Sequence, residues 1–179
     1  NTIREFCTFN IGSPGDTGVT KLGNDNWIMA YVHLAHDCVV GNHTIFANSS
    51  QLAGHVHVDD WVILGGFTVV HQFCRLGAHS FTAMHSLLFA DLPPFVMAQG
   101  QPAQARSMNF EGLRRRGFSA ERISAVKAMH KSLYRQQLTL SQAQTEIELL
   151  TQKYPEAKAD VDMMLSFLQA TSPERGIVR

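Results

Sequence analysis

An apolar residue recurs at every sixth position through much of the first half of the chain, and this period restricts the possible folds more than any other feature. The series has twelve positions from Leu22 to Leu88, and only Thr82 among them is not apolar. A small residue follows most members, and another compact residue lies four positions after each. An α-helix requires a period near 3.6 and a single strand a period of 2, so neither explains this pattern.

A period of six with small residues beside the apolar ones is typical of a chain that winds into coils of three short strands. Each coil then takes about 18 residues, and successive coils stack as parallel strands about 4.8 Å apart. An antiparallel sandwich is the alternative, but evenly spaced strands would not hold this phase over so many repeats. The pattern resembles the left-handed β-helix of the hexapeptide-repeat acyltransferases, and only that resemblance supplies the left hand.

The second half of the chain has a different pattern. The period of six ends near Pro93 and Pro94, and a helical pattern begins at Ser119, a plausible N-cap. Further helices fit residues 141–153 and 156–168. We therefore predict a partial β-helix over residues 1–100, a linker over 101–118 and a C-terminal helical domain over 119–179, which together make an all-β region followed by an α region.

Charge and cysteine content exclude several classes of protein. The chain has 15 basic and 15 acidic residues, which gives no reason to expect nucleic acid or an anionic membrane as the partner. No apolar run approaches the roughly 20 residues that span a bilayer, so we expect a soluble, cytoplasmic protein without an integral membrane segment. Cys38 and Cys74 fall in the same inward column two coils apart, about 9.6 Å, beyond the reach of a disulfide.

Stacking converts sequence separation into spatial proximity. Gly54 lies one coil length after His36, Gln72 lies one coil length after Gly54, and His55 lies one coil length after Asp37. We therefore expect seven polar or small residues to gather at one corner of the coil over three turns. They are His33, His36, Asp37, Gly54, His55, His71 and Gln72.

Three interpretations of this cluster are open from the residues alone. Imidazole is a common metal ligand, but the chain has no His-x4-His pattern, and a metal site, as in a metal-dependent hydratase, is the less favoured interpretation. One histidine as a general base, with a carboxylate that fixes its tautomer and a glycine N–H facing a developing oxyanion, is favoured. Solvated corner residues, as in a purely structural or interaction β-helix, are the third interpretation, and such a coil has no need of four histidines and a glycine at one corner.

A more specific resemblance comes from motifs along the whole chain. The segments "AHDCVVGN", "LAGHVHVDD", "VHQF", "LGAH", "PPFVMAQG" and "NFEGLRRRGF" follow in the order seen in the UDP-N-acetylglucosamine O-acyltransferases. This family transfers a 3-hydroxyacyl chain from acyl carrier protein to the 3-hydroxyl of UDP-N-acetylglucosamine, the first step of lipid A biosynthesis. The resemblance implies a homotrimer that needs no cofactor, since the acyl-acyl carrier protein is a co-substrate. Another hexapeptide-repeat sugar acyltransferase is the main rival.

The resemblance also implies roles for individual residues. His36 matches the general base, Asp37 the acid that supports it, and Gly54 the glycine whose N–H stabilises the tetrahedral intermediate. The positions that match contacts to the sugar, the phosphates or the nucleoside are His33, His55, His71, Gln72, Asn109, Glu111, Arg115 and Arg116. Guanidinium groups pair with phosphate oxygens in a fork geometry, although a run of three arginines is more often a solvated face.

Three features depart from the family pattern. The chain has Asn10 and Ile11 where the family often has His and Arg, which changes the polarity beside the base. It also starts well after the usual family start, so several coils and an acid and a lysine that line the substrate groove would precede Asn1. Met84 stacks above Gly66 at the position that limits acyl-chain length, where long-chain members have glycine. We expect an acyl chain shorter than fourteen carbons.

Overall fold

The chain winds into a parallel β-helix that is capped by a small helical domain, as the computed structural model of residues 1–179 describes it. Fourteen strands of two residues each form three parallel sheets, which confirms the predicted fold. Sheet A contains β1 (Thr2–Ile3), β4 (Trp27–Ile28), β7 (Ile45–Phe46), β10 (Ile63–Leu64) and β13 (Phe81–Thr82). Sheet B contains β2 (Thr8–Phe9), β5 (His33–Leu34), β8 (Gln51–Leu52), β11 (Val69–Val70) and β14 (Leu87–Leu88). Sheet C contains β3 (Lys21–Leu22), β6 (Val39–Val40), β9 (His57–Val58) and β12 (Arg75–Leu76).

The period of six produces the core. From β3 to β11, each strand pairs with the strand one regular coil later, as His33 does with Gln51. The periodic apolar residues from Ile28 to Leu88 all point inward and are at most 3% exposed. Cys38 and Cys74 are buried in the core and carry free thiols, as predicted from their shared column.

Each regular corner of the coil contains a residue with a left-handed backbone, and none of these corner residues is glycine. Their φ angles lie between 56° and 64°, a region that side chains other than glycine seldom adopt. Repeated once per coil, they form three ladders of stacked side chains. The B–C corner carries Asp37, His55 and Phe73, the C–A corner carries His43, Trp61 and His79, and the A–B corner carries Tyr31, Ser49, Phe67 and His85.

The predicted linker is mostly regular structure. Strand β15 (Val96–Gly100) adds to sheet A beside β13, and β16 (Ala103–Met108) pairs with it antiparallel. The period of six is lost in β15 and β16 because these strands are longer than two residues. Their side chains alternate between buried and more exposed positions, so the pattern has a period of 2. A short helix, α1 (Phe110–Arg115), follows, and it was not predicted.

Three longer helices form the C-terminal domain, with bounds close to those predicted. They are α2 (Ala120–Tyr134), α3 (Leu140–Lys153) and α4 (Lys158–Gln169), the last preceded by a 3-10 turn over Pro155–Ala157. Ser119 caps α2, as predicted, by accepting a hydrogen bond from the Arg122 N–H. Helix α3 starts one residue early because Thr139 and Gln142 form a capping box.

The helical domain and the coil share one hydrophobic core. A continuous cluster of buried side chains runs from Ile28 in the coil to Val178 near the end of the chain. Inside the domain, the Arg122 guanidinium binds both carboxylate oxygens of Asp160 at 2.7 Å and so joins α2 to α4. None of the helices is both long enough and apolar enough to cross a bilayer.

Candidate active site

The B–C corner brings the predicted base and its carboxylate into contact. The Nδ1–H of His36 donates to Asp37 Oδ2 at 2.9 Å, and Ser13 Oγ lies 3.1 Å from the same nitrogen. Adjacent residues on a strand point to opposite faces, but these two lie on a corner, and the left-handed backbone of Asp37, with φ of 60°, turns its side chain back to His36. The ring nitrogen Nε2 of His36 is left free to accept a proton.

Asp37 is a fully engaged, ionised acceptor. Its Oδ2 also accepts from the Ser13 N–H at 2.9 Å, and its Oδ1 accepts from Thr17 Oγ1 at 2.8 Å. Burial raises the pKa of this carboxyl, but the hydrogen bonds from His36, Ser13 and Thr17 outweigh burial and hold the pKa well below its ordinary value. The carboxylate therefore fixes the tautomer of His36 that has its hydrogen on Nδ1.

Gly54 lies one coil above His36 and is in close contact with its ring. A Cβ at residue 54 would lie 2.6 Å from His36 Cε1 and 2.7 Å from Nε2, so only glycine leaves space for the ring. The N–H of Gly54 donates no hydrogen bond within the chain. It is therefore available to a negatively charged oxygen formed beside the base.

His55 completes the cluster from the next coil. Its ring stacks on Phe73 at a centroid distance of 4.4 Å and meets the ring of His36 edge-on at 5.0 Å. Its Nδ1 lies 3.1 Å from Asp16 Oδ2, and its Nε2 lies 3.9 Å from Asp37 Oδ2. The side chain of His55 is only 19% exposed, so these neighbours set its orientation.

Two more predicted residues lie at this corner, and one does not. His71 and Gln72 are exposed in the turn above Gly54, and the Gln72 carbonyl accepts from Arg175 Nη1 at 2.6 Å. His33 lies on β5, in sheet B, where its Nδ1 is 2.7 Å from Thr8 Oγ1. His33 thus lies on the strand that leads into this corner, three residues before His36, and its role stays a prediction.

The predicted nucleotide-binding residues line a separate groove at the C–A corner. The groove encloses about 440 Å³. Its lining combines the apolar outer face of sheet A with the start and end of α1, and it includes His43, Ile45, Trp61, Ile63, Phe81, Asn109, Glu111, Arg115 and Arg116. The four residues predicted from the sequence motif therefore meet in one groove, but at a different corner from His36.

The polar residues of this groove differ in how firmly they are held on the coil. Asn109 caps α1 through a hydrogen bond from the Gly112 N–H, and its Nδ2 donates to the His79 carbonyl at 3.0 Å. Glu111 and Arg115 are exposed and pair with each other at 3.0 Å. The side chain of Asn109 thus holds the start of α1 on the coil, whereas Arg115 extends into solvent.

Arg116 is held against the coil without an acidic partner. Its Nη2 donates to the Trp61 carbonyl at 3.1 Å, and its Nη1 lies 3.3 Å from His79 Nδ1. Burial lowers the pKa of His79 to about 4, and the neighbouring Arg116 contributes to this lowering, so His79 is neutral and accepts from the guanidinium. No carboxylate lies within ion-pair distance of Arg116, so its positive charge remains available to an anion in the groove.

The three residues that depart from the family pattern, Met84, Ile11 and Asn10, lie elsewhere on the surface. Met84 is 66% exposed at the A–B corner, one coil above Gly66. Ile11 is 84% exposed, and both Ile11 and Asn10 line a hollow of about 490 Å³ at the first coil. The apolar Ile11 thus lies at the edge of the loop that holds Asp37.

The geometry of a metal site is only partly present. His36, Asp37 and His55 have possible ligand atoms within 4.8 Å of one another. However, both oxygens of Asp37 already accept hydrogen bonds from Ser13, Thr17 and His36. A metal ion at this corner would have to displace those donors, so the donor set fits a base and its carboxylate better than a cation.

Sequence reasoning missed the residues that support the site. Ser13, Asp16 and Thr17 lie in a loop ahead of the regular repeats, where the addition of one coil length does not apply. The proximity of Trp61 and His79 could have been predicted by adding one coil length, because His43, Trp61 and His79 are spaced one coil length apart. Their rings stack along the C–A corner, with His43 and Trp61 4.2 Å apart.

Comparison with known families matches both parts of the chain. The second domain of UDP N-acetylglucosamine O-acyltransferase matches residues 91–178. The bacterial transferase hexapeptide repeat matches residues 20–54. The first match covers β15, β16 and all the helices, and the second covers the coils that carry His36 and Gly54.

Similar proteins have names that agree with these matches. The acyl-[acyl-carrier-protein]–UDP-N-acetylglucosamine O-acyltransferases of Albidiferax ferrireducens and Thiobacillus denitrificans are 75% and 58% identical over all 179 residues, which span 68% and 67% of those proteins. The solved UDP-N-acetylglucosamine acyltransferase of Francisella novicida superposes with a TM-score of 0.91 at 37% identity, over 99% of this chain and 63% of that one. The chain thus spans about two thirds of the length of its relatives. With the coil, the paired His36 and Asp37 and the α1 groove all in place, this chain belongs to the UDP-N-acetylglucosamine O-acyltransferase family.

Proposed function

We propose that this chain carries the catalytic centre of an O-acyltransferase that moves a 3-hydroxyacyl chain from acyl carrier protein to the 3-hydroxyl of UDP-N-acetylglucosamine, the first step of lipid A biosynthesis. The observation that carries the proposal is the contact between His36, Asp37 and Gly54 at one corner of the coil. The names of the relatives, which include both substrates, support the choice of substrates.

The reaction follows from the geometry of the B–C corner. Nε2 of His36 removes the proton of the sugar hydroxyl as its oxygen attacks the thioester carbonyl carbon. The Asp37 carboxylate stabilises the imidazolium that forms, since it already accepts from Nδ1. The Gly54 N–H donates to the carbonyl oxygen as that oxygen gains charge. When the intermediate collapses, the carrier thiolate leaves and takes the proton from His36.

In this proposal, the groove at the C–A corner binds the nucleotide part of UDP-N-acetylglucosamine. Arg115 and Arg116 offer guanidinium groups to the diphosphate, and Asn109 and Glu111 offer polar groups to the nucleoside. His33, His55, His71 and Gln72 are assigned to the sugar and phosphates near the base. We assign no metal or cofactor to the reaction, because the oxygens of Asp37 are already taken by hydrogen-bond donors.

We also propose that the protein works as a homotrimer in the cytoplasm. The predicted base and the predicted nucleotide groove lie at different corners of one chain, B–C and C–A. A site assembled between neighbouring chains would bring one corner of each together, as a closed ring permits. The buried free thiols of Cys38 and Cys74 suit a reducing compartment.

The test of the base is acyl transfer to UDP-N-acetylglucosamine, measured with the full-length protein and with its His36→Ala variant. General base catalysis contributes about 10²- to 10⁴-fold, so we expect a loss of kcat of that size with an unchanged unfolding transition. A rate within a few-fold of the original would refute the assignment. Activity that disappeared with a chelator and returned with zinc would instead favour metal chemistry.

Met84 is proposed to limit the acyl chain to fewer than fourteen carbons. Its exposed side chain projects at the A–B corner, where a glycine would leave more room for an acyl chain. We expect Met84→Gly to shift the preference toward longer chains by at least two carbons, measured with carrier proteins loaded with a graded series of 3-hydroxyacyl chains. Leu88→Ile, a buried change that keeps the volume of the core, is the control. An unchanged preference in Met84→Gly would contradict this role.

A further inference from the structure

The loop over residues 10–20 interrupts the regular coil beside the base. Thr8 on β2 pairs with His33, whereas His33 pairs with Gln51 one regular coil length later. The first coil is therefore seven residues longer than a regular coil. The extra residues lie between β2 and β3. A loop at this place folds over the B–C corner, where His36 and Asp37 are located.

Asp37 anchors the loop at both ends. It accepts from the Ser13 N–H at 2.9 Å and from Thr17 Oγ1 at 2.8 Å, and its own N–H donates to Thr20 Oγ1 at 2.9 Å. A Cβ on Gly12 would lie 2.7 Å from Asp37 Oδ1, so the loop backbone fits tightly there. These contacts fix the segment on both sides of Asp16.

The carboxylate of Asp16 is directed out of its own loop toward His55. It accepts no hydrogen bond from loop residues, and its Oδ2 lies 3.1 Å from His55 Nδ1. The other ring nitrogen of His55 lies 3.9 Å from Asp37 Oδ2, beyond hydrogen-bonding distance. The ring is otherwise held by Phe73 and His36, which make no polar contact with Nδ1.

We infer that Asp16 is a positioning residue for His55, an inference that rests on the proposed function of this corner. The carboxylate of Asp16 is negatively charged and lies at ion-pair distance from Nδ1, without an aligned hydrogen bond, so it favours the hydrogen of His55 on that near nitrogen and restrains the ring. Nε2 then remains beside the base as the nitrogen that meets the substrate. The site thus contains two histidine–carboxylate pairs in successive coils, His36 with Asp37 and His55 with Asp16, and the loop carries the second carboxylate.

The kinetic test uses Asp16→Ala and Asp16→Asn in the full-length protein. We expect Asp16→Ala to raise KM for UDP-N-acetylglucosamine about tenfold with a smaller change in kcat, and Asp16→Asn, which keeps an accepting oxygen, to fall between Ala and the original. Asp162→Asn removes an equally exposed carboxylate that pairs with Lys158 on α4, and it should leave both constants unchanged. Constants within twofold of the original in Asp16→Ala would overturn the inference.

A double-mutant cycle separates positioning from a structural role of the loop. If Asp16 acts through His55, Asp16→Ala should change KM by less than about twofold in a His55→Ala background. An undiminished effect in that background would mean that Asp16 only holds the loop, and it would overturn the inference.

A second readout does not depend on catalysis. The ¹⁵N chemical shifts of the His55 ring report its tautomer, and we expect Asp16→Ala to reduce the population with hydrogen on Nδ1. Absence of any transfer by the original protein would refute the proposed function, while the shifts would still decide the placement of His55. An unchanged tautomer in Asp16→Ala would overturn the inference.

Discussion

The contact between His36 and Gly54 depends on the lack of a single methyl group, and so does the reaction proposed for this corner. The left-handed backbone at Asp37 turns a carboxylate toward one side of the imidazole, and the bare Cα of Gly54 admits the other side. Glycine at residue 54 is therefore required by close approach, because its backbone is not in the left-handed region.

A Gly54→Ala variant should fold but lose activity. The added Cβ would meet the His36 ring at 2.6 Å, and the exposed ring can rotate away more easily than the coil can distort. Displacement of a catalytic group by about 1 Å costs on the order of 100-fold, so kcat should fall by at least that factor.

Gly66→Ala is the folding control, since its Cβ would lie 3.4 Å from the nearest atom, the Asn48 carbonyl oxygen. Thermal unfolding of both variants should match the original within a few degrees. Near-normal kcat in Gly54→Ala would mean that the close approach has no catalytic significance.

At the scale of elements, the linker and the coil are joined through an aromatic ladder that includes His79. His79 stacks on Phe95 at 5.7 Å, meets Phe118 edge-on at 5.1 Å and accepts from Arg116. Because the ring is packed among aromatic groups and beside a guanidinium, protonation would place two positive charges in contact. The attachment of α1 to the coil therefore depends on a neutral His79.

This attachment predicts a loss of stability in acid. The pKa of His79 is about 4 in the folded protein and about 6.5 in an unfolded chain, so the unfolded chain binds more protons between these values. The contribution is constant above pH 6.5 and declines as the pH falls toward 4. We expect the free energy of unfolding to fall by about 2 kcal/mol because of this group. Solvent screening of the half-buried ring keeps the loss below the value that the full pKa difference would give.

The measurement compares urea unfolding of the original protein and His79→Phe at pH 7.5 and pH 4.5. Phenylalanine keeps the stacking and removes the titration, while other titrating groups cancel in the difference. His79→Phe should lose less stability on acidification than the original. Equal losses in the two proteins would show that His79 is not responsible.

The sequence predicted the coil and the corner cluster well because a strict period converts directly into position. Gly54 and His55 were placed beside His36 and Asp37 by adding one coil length, and the contacts agree. The loop carrying Asp16 was not predicted, because its seven extra residues break the period. The contact of Asp37 with His36 also required the corner backbone, which periodicity does not give.

For the whole molecule, the separation of the two parts of the site determines what one chain can do. His36 and Gly54 lie at the B–C corner, and the groove of Arg115 and Arg116 lies at the C–A corner of the same chain. In the proposed homotrimer, a nucleotide sugar held by the groove of one chain would meet the base of another chain. Assembly is therefore part of the catalytic proposal.

Mixed trimers test the shared site directly. We expect His36→Ala and Arg115→Ala chains each to lose most of their activity alone. When they are unfolded, mixed in equal amounts and refolded, random assembly gives about a quarter of the sites an intact base from one chain and an intact arginine from its neighbour. We expect transfer activity near that fraction of the original. A His36→Ala and Gly54→Ala mixture is the matched control, because both residues lie at one corner and no mixed site contains both. Recovery in neither mixture would contradict a site shared between chains, since each site would then lie within a single chain.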